Sequence, residues 1–359
     1  MNTYKITFQL LSPVITPFHA DTVFGHYCWA LRYLRGETSL AEFLKEMKSE
    51  PPVLFSDGFP EEFLPRPVIA PLTVEQEGKL QDIFRDIGGD NLSFVNSMKT
   101  LKKVPVIAES TFVGIMDSYD DSALYEKVFR GEICSRDFGP KSDLCADRDE
   151  PCLQLTEKRG SHCKKPLVSV SDIVSHNTIN RISDTTGTSG GFFQQEESFY
   201  AQNQNFVVFL KCGESRWSEV REVFSEIEWS GFGKDKSTGK GQVKIVSSEK
   251  TALPDCNVPN AVMSLSSMIP SADDAVDARY SLMTKYGKLG GDYAKSAYSP
   301  GSPLIPFKKP LIMMKAGAVF SLKNGQRKEF LGCMMNNVHH HPDIVHYAYG
   351  FPLYFKTKS

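Results

Sequence analysis

The chain has 359 residues, of which 41% are hydrophobic and 23% are charged, a composition that indicates a folded globular protein and excludes a largely disordered one. The 41 Lys and Arg nearly balance the 43 Asp and Glu, so the net charge of −2 excludes a protein that is basic all over, but a local basic patch remains compatible. There is no apolar run of about 18 residues and no signal-peptide pattern, so we expect a cytoplasmic protein without membrane contact.

The chain opens with a predicted strand and a predicted helix. From Tyr4 to Leu10, apolar and polar residues alternate, a period of two that buries one face of a strand. Asp21 is the expected N-cap of the helix that follows, and Gly36 is expected to end it. The proline-rich stretch 51–72 predicts extended chain and turns.

A helix is predicted over 74–87, and a second strand–helix set follows later in the chain. It comprises a strand predicted over 206–210 and a helix predicted over 217–227. A glycine-rich loop, 231–241, and a strand from Gln242 follow. Strand, helix, loop and strand in this order predict the second half of a β-α-β-β-α-β, ferredoxin-like unit whose first half opens the chain.

The predicted fold class is α+β, with two ferredoxin-like (RRM-like) domains. Residues 1–250 form the expected N-terminal domain, and residues 251–359 form the expected C-terminal domain. The stretch 131–165 has little periodicity and several cysteines, so we interpret it as a Cys-bearing insertion in the first domain.

The glycine-rich loop carries the sharpest chemical signal of the sequence. Glycines allow the backbone to approach a ligand closely, while lysines and hydroxyls offer cations and donors for a phosphodiester chain. It is not a Walker loop, because Gly239-Lys240 is followed by Gly241 and the loop precedes a strand. A solvated mobile hairpin is the alternative. The candidate RNA-binding residues here are Gly231, Gly233, Lys234, Lys236, Ser237, Thr238, Gly239, Lys240 and Gly241.

A second polar segment, 176–181, precedes a Gly-rich and aromatic stretch that ends in Phe192-Phe193. Its side chains suit contacts to base edges, sugars and phosphates, and the aromatics suit stacking on bases. A polar turn before a strand is the alternative. The candidate RNA-binding residues of this segment are His176, Asn177, Asn180 and Arg181.

Four cysteines in the insertion are candidate metal ligands. Ten, six and ten residues separate Cys134, Cys145, Cys152 and Cys163. Four thiolates can close a tetrahedral zinc site, yet no pair has the tight spacing of zinc fingers. A structural zinc and free thiols in a cytosolic loop therefore both remain open.

No nucleophile elbow, zinc-protease or EF-hand pattern is present. His19 and His26 flank the start of the first predicted helix. They suit either acid–base chemistry in RNA cleavage or a polar role at a helix end, and we favour the polar role.

Taken together, these motifs resemble the RAMP proteins of CRISPR effector complexes, and among them the fourth subunits of type III-A Csm complexes. The similarity runs from the first strand to near the C-terminus. It rests on the segments 20–32, 56–60, 176–181, 231–241, 287–291 and 306–310.

The resemblance implies two ferredoxin-like domains and a non-catalytic role in antiviral defence. Such a subunit holds the 5′ repeat-derived tag of the crRNA, docks the large polymerase-like effector subunit and contacts the backbone RAMP subunit. It needs no cofactor, and zinc enters only as the structural metal considered above. One alternative is a RAMP endoribonuclease that processes precursor crRNA through His19, His26 or His176. The other is a related type III-B or III-D subunit with different partners.

Overall fold

The structure of the chain is a computed structural model that describes residues 1–139, 170–180, 182–186, 191–201, 204–274, 277–296, 305–322 and 325–358. The strands are β1 Asn2–Leu10, β2 Val53–Pro60, β3 Phe63–Pro65, β4 Val106–Ala108, β5 Val170–Asn177, β6 Ile179–Asn180, β7 Thr185–Thr186, β8 Phe192–Phe199, β9 Asn205–Cys212, β10 Val243–Lys250, β11 Ala261–Ser264, β12 Ala278–Arg279, β13 Leu282–Lys285, β14 Leu311–Met314, β15 Val319–Ser321, β16 Leu331–Met335, β17 His346–Gly350 and β18 Pro352–Phe355. The helices are α1 Ala20–Ser49, α2 Val74–Asp86, α3 Asn91–Leu101, α4 Glu109–Val113, α5 Asp121–Phe129, α6 Trp217–Ser230 and α7 Gly291–Ser296. This mixture of helices and small antiparallel sheets confirms the predicted α+β class.

The first sheet has four antiparallel strands in the order β10-β1-β9-β2. Helix α1 connects β1 to β2, and α6 connects β9 to β10, so two strand–helix–strand units interleave in one sheet. The apolar residues of α6, among them Val220, Phe224 and Ile227, are buried in the core, because they recur on one side of the helix. The strands predicted over 4–10 and 206–210 and the helix predicted over 217–227 are confirmed.

Helix α1 agrees with its sequence prediction at Gly36 and differs from it at its start. The helix that begins at Ala20 is interrupted at Gly36, where φ is 85° and ψ is 177°, as predicted, and a second helical stretch then runs to Ser49. Asp21 is not the N-cap. Its carboxylate lies 2.9 Å from the ammonium of Lys285, while the first helical amide, that of Ala20, donates to Asp57 Oδ1 at 2.7 Å.

The second sheet is smaller and has the order β12-β15-β11-β18, again with antiparallel neighbours. When the strands of each sheet are numbered along the chain, both sheets follow the order 4-1-3-2. The connections differ, because the β16–β17 hairpin lies between β15 and β18 where the first sheet uses helix α6.

The two sheets share one hydrophobic core. Phe24 of α1 stacks on Tyr347 of β17 with ring centroids 5.1 Å apart. The Tyr347 hydroxyl accepts a hydrogen bond from the Phe55 amide at 2.9 Å, which ties β17 to β2. The buried carboxylate of Asp57 accepts from the amide and the hydroxyl of Ser267, at 3.0 and 2.7 Å. Burial of these groups holds the sheets in a fixed arrangement.

A helical segment, including α2, α3 and α5, connects β2 to the second half of the first sheet. Helix α2 confirms the helix predicted over 74–87, and Thr73 and Gln76 form a capping box at its start. The guanidinium of Arg66 fastens the segment, because it donates to the Leu101 carbonyl at 2.8 Å and to the Tyr125 hydroxyl at 2.6 Å. None of the described helices is long and apolar enough to cross a membrane.

The predicted Cys-bearing insertion falls mostly outside the described residues. Cys134 is buried at the end of the helical segment. Cys145, Cys152 and Cys163 lie outside the residues that the structure describes, so the zinc site stays a prediction.

Candidate functional site

The glycine-rich loop, 231–241, joins α6 to β10 and is shaped by its glycines. Gly231, Gly233, Gly239 and Gly241 all have positive φ, a conformation that side chains with a Cβ rarely adopt. A Cβ on Gly241 would lie 1.8 Å from the carbonyl oxygen of Phe232. The loop therefore needs glycine for its own fold, whatever ligand it binds.

Most of the loop's backbone amides are already used inside the protein. The amide of Gly233 donates to His26 Nε2 at 2.9 Å, and that of Gly241 donates to the Pro13 carbonyl at 2.8 Å. The amide of Lys234 donates to the Thr16 hydroxyl at 3.0 Å. These bonds narrow the predicted backbone contacts with a ligand to the centre of the loop, around Lys236.

The three loop lysines differ in what they contact. Lys236 is exposed and has no carboxylate partner among the described residues. Lys234 is half-exposed and donates to the side chain of Gln195. The ammonium of Lys240 lies 2.5 Å from Glu197 Oε2 and is mostly buried. Lys236 is therefore the most available cation of the loop, and Lys240 is the least available.

His26 supports the loop as a neutral imidazole. Burial and the nearby Lys236 ammonium lower the pKa of His26 to about 3, so the ring is uncharged at neutral pH. Its Nε2 accepts the Gly233 amide hydrogen, and the ring packs on Phe232 with centroids 4.6 Å apart. This arrangement supports the polar structural role that we favoured over acid–base chemistry.

The segment predicted as a second contact surface lies on a β-hairpin formed by β5 and β8. His176 stacks on Phe193, its cross-strand neighbour, with centroids 5.2 Å apart. The side-chain oxygen of Asn177 accepts from the Thr186 hydroxyl at 3.0 Å. Asn180 lies in β6, and Arg181 lies outside the described residues.

Glu197 of β8 brings the two predicted surfaces together. One of its oxygens lies 3.0 Å from His176 Nε2 and the other lies 2.5 Å from Lys240 Nζ. Burial alone would raise the pKa of Glu197, but its hydrogen bonds with Lys240 and His176 outweigh that effect and lower the pKa. The loop and the hairpin thus form one site around an ionised carboxylate.

The sequence prediction did not include Glu197 or its neighbour Gln195. The Gln195 amide donates to Asp235 Oδ2 at 3.2 Å, a second bond between hairpin and loop. Both side chains point to the same face of β8, since they are two residues apart. The two-residue spacing could have shown from the sequence that Gln195 and Glu197 share a face of the strand. No local pattern indicated that this face contacts the glycine-rich loop.

The hairpin also exposes apolar side chains on its other face. Ile173 and Phe192, on the outward face of the hairpin, are each 64% exposed. Ile182, in the turn beyond β6, is 97% exposed. An exposed aromatic ring such as that of Phe192 suits stacking on an unpaired base.

Comparisons with known proteins place this fold. No protein-family model and no curated protein sequence matches the chain. Among solved structures, a chain of the Csm3-Csm4 subcomplex of the type III-A CRISPR-Cas interference complex matches with a TM-score of 0.59 and 13% identity, over 96% of this chain and 99% of that one. A chain of the Csm1-Csm4 cassette in complex with AMPPNP matches with a TM-score of 0.53 and 12% identity, over 99% of both chains.

Csm4 is the subunit that the subcomplex and the cassette have in common. The chain has a Csm4-like fold. A second structure of the cassette, in complex with pppApA, matches with a TM-score of 0.52 and 12% identity, over 99% of this chain and 98% of that one. The resemblance found in the sequence motifs is therefore confirmed at the level of the fold.

Proposed function

We propose that the chain is a non-catalytic RNA-binding subunit of a type III CRISPR effector complex. In this proposal it holds the 5′ repeat-derived tag of the crRNA, docks the large polymerase-like subunit and contacts the backbone RAMP subunit. The observation that carries the proposal is the Csm4-like fold over nearly the whole chain, with the glycine-rich loop and the polar hairpin meeting in one site.

The proposed partners follow from the assemblies that contain Csm4, whose fold this chain resembles. The solved structures contain Csm4 together with Csm1 or with Csm3. We assign this chain two corresponding partners, a large polymerase-like subunit and a backbone RAMP subunit. Co-purification with the large subunit of a type III-A complex supports this assignment, whereas selective co-purification with a type III-B or III-D large subunit moves the chain to that complex.

Both four-stranded sheets support an assignment as ferredoxin-like units. The order 4-1-3-2 with antiparallel neighbours is what a β-α-β-β-α-β chain produces, because each crossover places a strand beyond its neighbour. The first sheet ends at Lys250 and the second begins at Ala261. We therefore propose a first unit of 1–250 and a second of 251–359. In the second unit the hairpin takes the place of the last helix, and no described helix lies between β11 and β12.

The proposed RNA contacts combine charge with stacking surface. Lys234 and Lys236 offer cations to phosphates, and His176 lies against the Phe193 ring. Contacts with phosphates fix the position of an RNA strand, while contacts with splayed bases read its sequence. A fixed repeat-derived tag suits a site that combines both kinds of contact.

The non-catalytic role is supported by the contacts of the three histidines considered as acid–base groups. His26 accepts a loop amide, and His176 is tied to Glu197. His19 Nδ1 lies 3.2 Å from the Lys285 ammonium. The Nε2 of His26 is occupied by a backbone amide, which favours a structural role for that ring, and the experiment below distinguishes binding from cleavage of precursor crRNA.

The test is binding and cleavage of a 5′-labelled crRNA by the purified full chain, with an intact or a scrambled repeat-derived tag. Retention that depends on the tag, without a cut, supports the proposal. A discrete cut that is lost on substitution of a histidine establishes the endoribonuclease instead. Equal binding of both RNAs contradicts the assignment to the tag.

A structural zinc in the cysteine segment is a separate proposal. Cys134, Cys145, Cys152 and Cys163 would hold the ion as thiolates and order a segment with few apolar residues. Elemental analysis of the purified chain decides between the two alternatives. About one zinc per chain supports the site, and its absence supports the alternative of free cysteines.

A further inference from the structure

The hairpin contacts two of the three loop lysines that the sequence analysis identified as candidate RNA contacts, Lys234 and Lys240. Glu197 Oε2 lies 2.5 Å from the Lys240 ammonium, and the side chain of Gln195 accepts a hydrogen bond from Lys234. The Glu197 side chain is fully buried by this contact, and Gln195 is 8% exposed. Two of the three loop lysines are thus occupied by groups of the chain itself.

A carboxylate and a phosphodiester present the same features to a lysine. Both carry one negative charge and offer oxygen acceptors that form short charge-assisted hydrogen bonds. We propose that the β5–β8 hairpin is an autoinhibitory latch, in which Glu197 takes the place of an RNA phosphate on Lys240 and is displaced when RNA binds. This inference rests on the proposed function, since it names what the same site must release to bind RNA.

The hairpin is built as an element that can open. Its two strands pair with each other, and at its base Ser198 exchanges backbone hydrogen bonds with Val14, at 2.9 and 3.0 Å. The face towards the loop carries Gln195 and Glu197, whereas the opposite face carries exposed Ile173 and Glu196. Opening therefore breaks polar contacts and exposes little apolar core, which lowers its free-energy cost.

The charge state of the latch keeps it closed in the absence of RNA. The ion pair with Lys240 and the bond with His176 lower the pKa of Glu197, so the carboxylate stays ionised at neutral pH. An RNA phosphate can bind the Lys240 ammonium only after the Glu197 carboxylate has moved away from it. The apparent affinity for RNA is then reduced by the fraction of molecules in which the hairpin is closed.

The first variant that tests the latch is Glu197→Gln. Glutamine keeps the shape of the side chain and one acceptor oxygen but removes its charge. We expect RNA binding to tighten by about threefold to tenfold, the range expected when a charge-assisted hydrogen bond is replaced by a neutral one.

The matched control is Glu196→Gln, which makes the same charge change on the opposite face of the same strand. Its RNA affinity is expected to change by less than about twofold, because an exposed charge is screened by salt. A third variant, Lys240→Gln, breaks the same ion pair from the other side. It is expected to open the hairpin without tightening RNA binding.

Hydrogen exchange of the RNA-free chains gives a readout that does not depend on RNA. Amides of β5 and β8 are expected to exchange faster in the Glu197→Gln and Lys240→Gln variants, and at the wild-type rate in Glu196→Gln. Wild-type hairpin protection and wild-type RNA affinity in Glu197→Gln overturn the latch and leave the proposed function standing. Failure of every chain, wild type included, to bind RNA refutes the proposed function, and the latch with it.

Discussion

At the scale of single residues, the lysines of the glycine-rich loop have separate roles. Lys236 has no carboxylate partner among the described residues, while Lys240 is neutralised by Glu197. The value of a lysine to an anionic ligand depends on whether its charge is free, because an intramolecular ion pair must be broken first. Their positions in the sequence give Lys236 and Lys240 the same expected role. Their contacts in the structure show that only the charge of Lys240 is neutralised by a carboxylate.

The exposed position of Lys236 leads to a first prediction. Lys236→Ala is expected to weaken RNA binding and to reduce the salt slope by about 0.7, because one phosphate contact to a single strand is lost. The comparison is Lys102→Ala, since the Lys102 ammonium lies 3.2 Å from Glu77 on the helical segment. Filter binding at several salt concentrations measures both slopes, and equal losses in the two variants contradict the assignment.

The buried ring of His26 makes stability depend on pH. Burial and Lys236 lower the pKa of His26 to about 3 in the folded chain, whereas its ordinary pKa is 6.5. Between these two values the unfolded chain binds a proton that the folded chain does not. The stabilisation is therefore complete above pH 6.5 and is lost as the pH falls towards 3. His346, whose pKa is lowered to about 4 by burial, acts in the same direction.

Replacement of His26 distinguishes its contribution to the pH dependence of stability from that of His346. His26→Gln keeps an acceptor for the Gly233 amide but does not titrate. We expect the loss of unfolding free energy between pH 7 and pH 5 to be smaller than in the wild type, by up to about 2 kcal/mol. Urea unfolding at the two pH values measures it, and identical losses would show that His26 is not the titrating group.

At the scale of elements, the glycine-rich loop is held by backbone bonds that its glycines permit. Gly241 and Gly239 both have positive φ, but a Cβ on Gly241 meets the Phe232 carbonyl whereas none of the described atoms lies within 4 Å of one on Gly239. Gly239→Ala is expected to cost about 1 to 2 kcal/mol for its backbone conformation. Gly241→Ala is expected to lower the unfolding free energy further, because the Phe232 backbone must also move to make room for the Cβ. Thermal unfolding tests this order, and a reversed order contradicts the described loop.

At the scale of the whole molecule, Asp57 joins the two sheets through a single buried carboxylate. It accepts from the Ala20 amide at the start of α1 and from the amide and hydroxyl of Ser267. Burial raises the pKa of Asp57, with His19 and these hydrogen bonds acting in the opposite direction. The carboxylate therefore caps the start of α1 and accepts two hydrogen bonds from Ser267, which follows β11.

Removal of this carboxylate leaves buried donors unsatisfied. Asp57→Ala is expected to destabilise the chain by about 3 kcal/mol or more, since each buried unpaired donor costs roughly 1 to 3 kcal/mol. Ser267→Ala is the comparison, and it removes only the hydroxyl bond, at a cost of about 1 kcal/mol. Urea unfolding measures both. A change in Asp57→Ala no larger than that in Ser267→Ala would show that the carboxylate does not join the units.

The sequence by itself determined the elements whose signal is local. The alternation from Tyr4 to Leu10 and the helical spacing over 217–227 specified β1 and α6, because burial of one face is encoded in the period of the apolar residues. The glycines of the loop were recognised for the same reason, since a positive φ depends mainly on the residue itself. The motif order was also enough to predict the Csm4-like fold.

Tertiary structure alone decided the contacts between residues distant in sequence. Gly36 interrupts α1 as its local signal predicted, but the second helical stretch of α1, which buries Phe43 and Met47 in the core, was not predicted. Asp57 caps that helix across 37 positions, and Glu197 meets Lys240 across 43. No local pattern encodes such pairs, because they exist only once the chain has closed its sheets. The sequence therefore predicted the loop and the polar segment that form the site. It did not predict that the two meet around the buried carboxylate of Glu197.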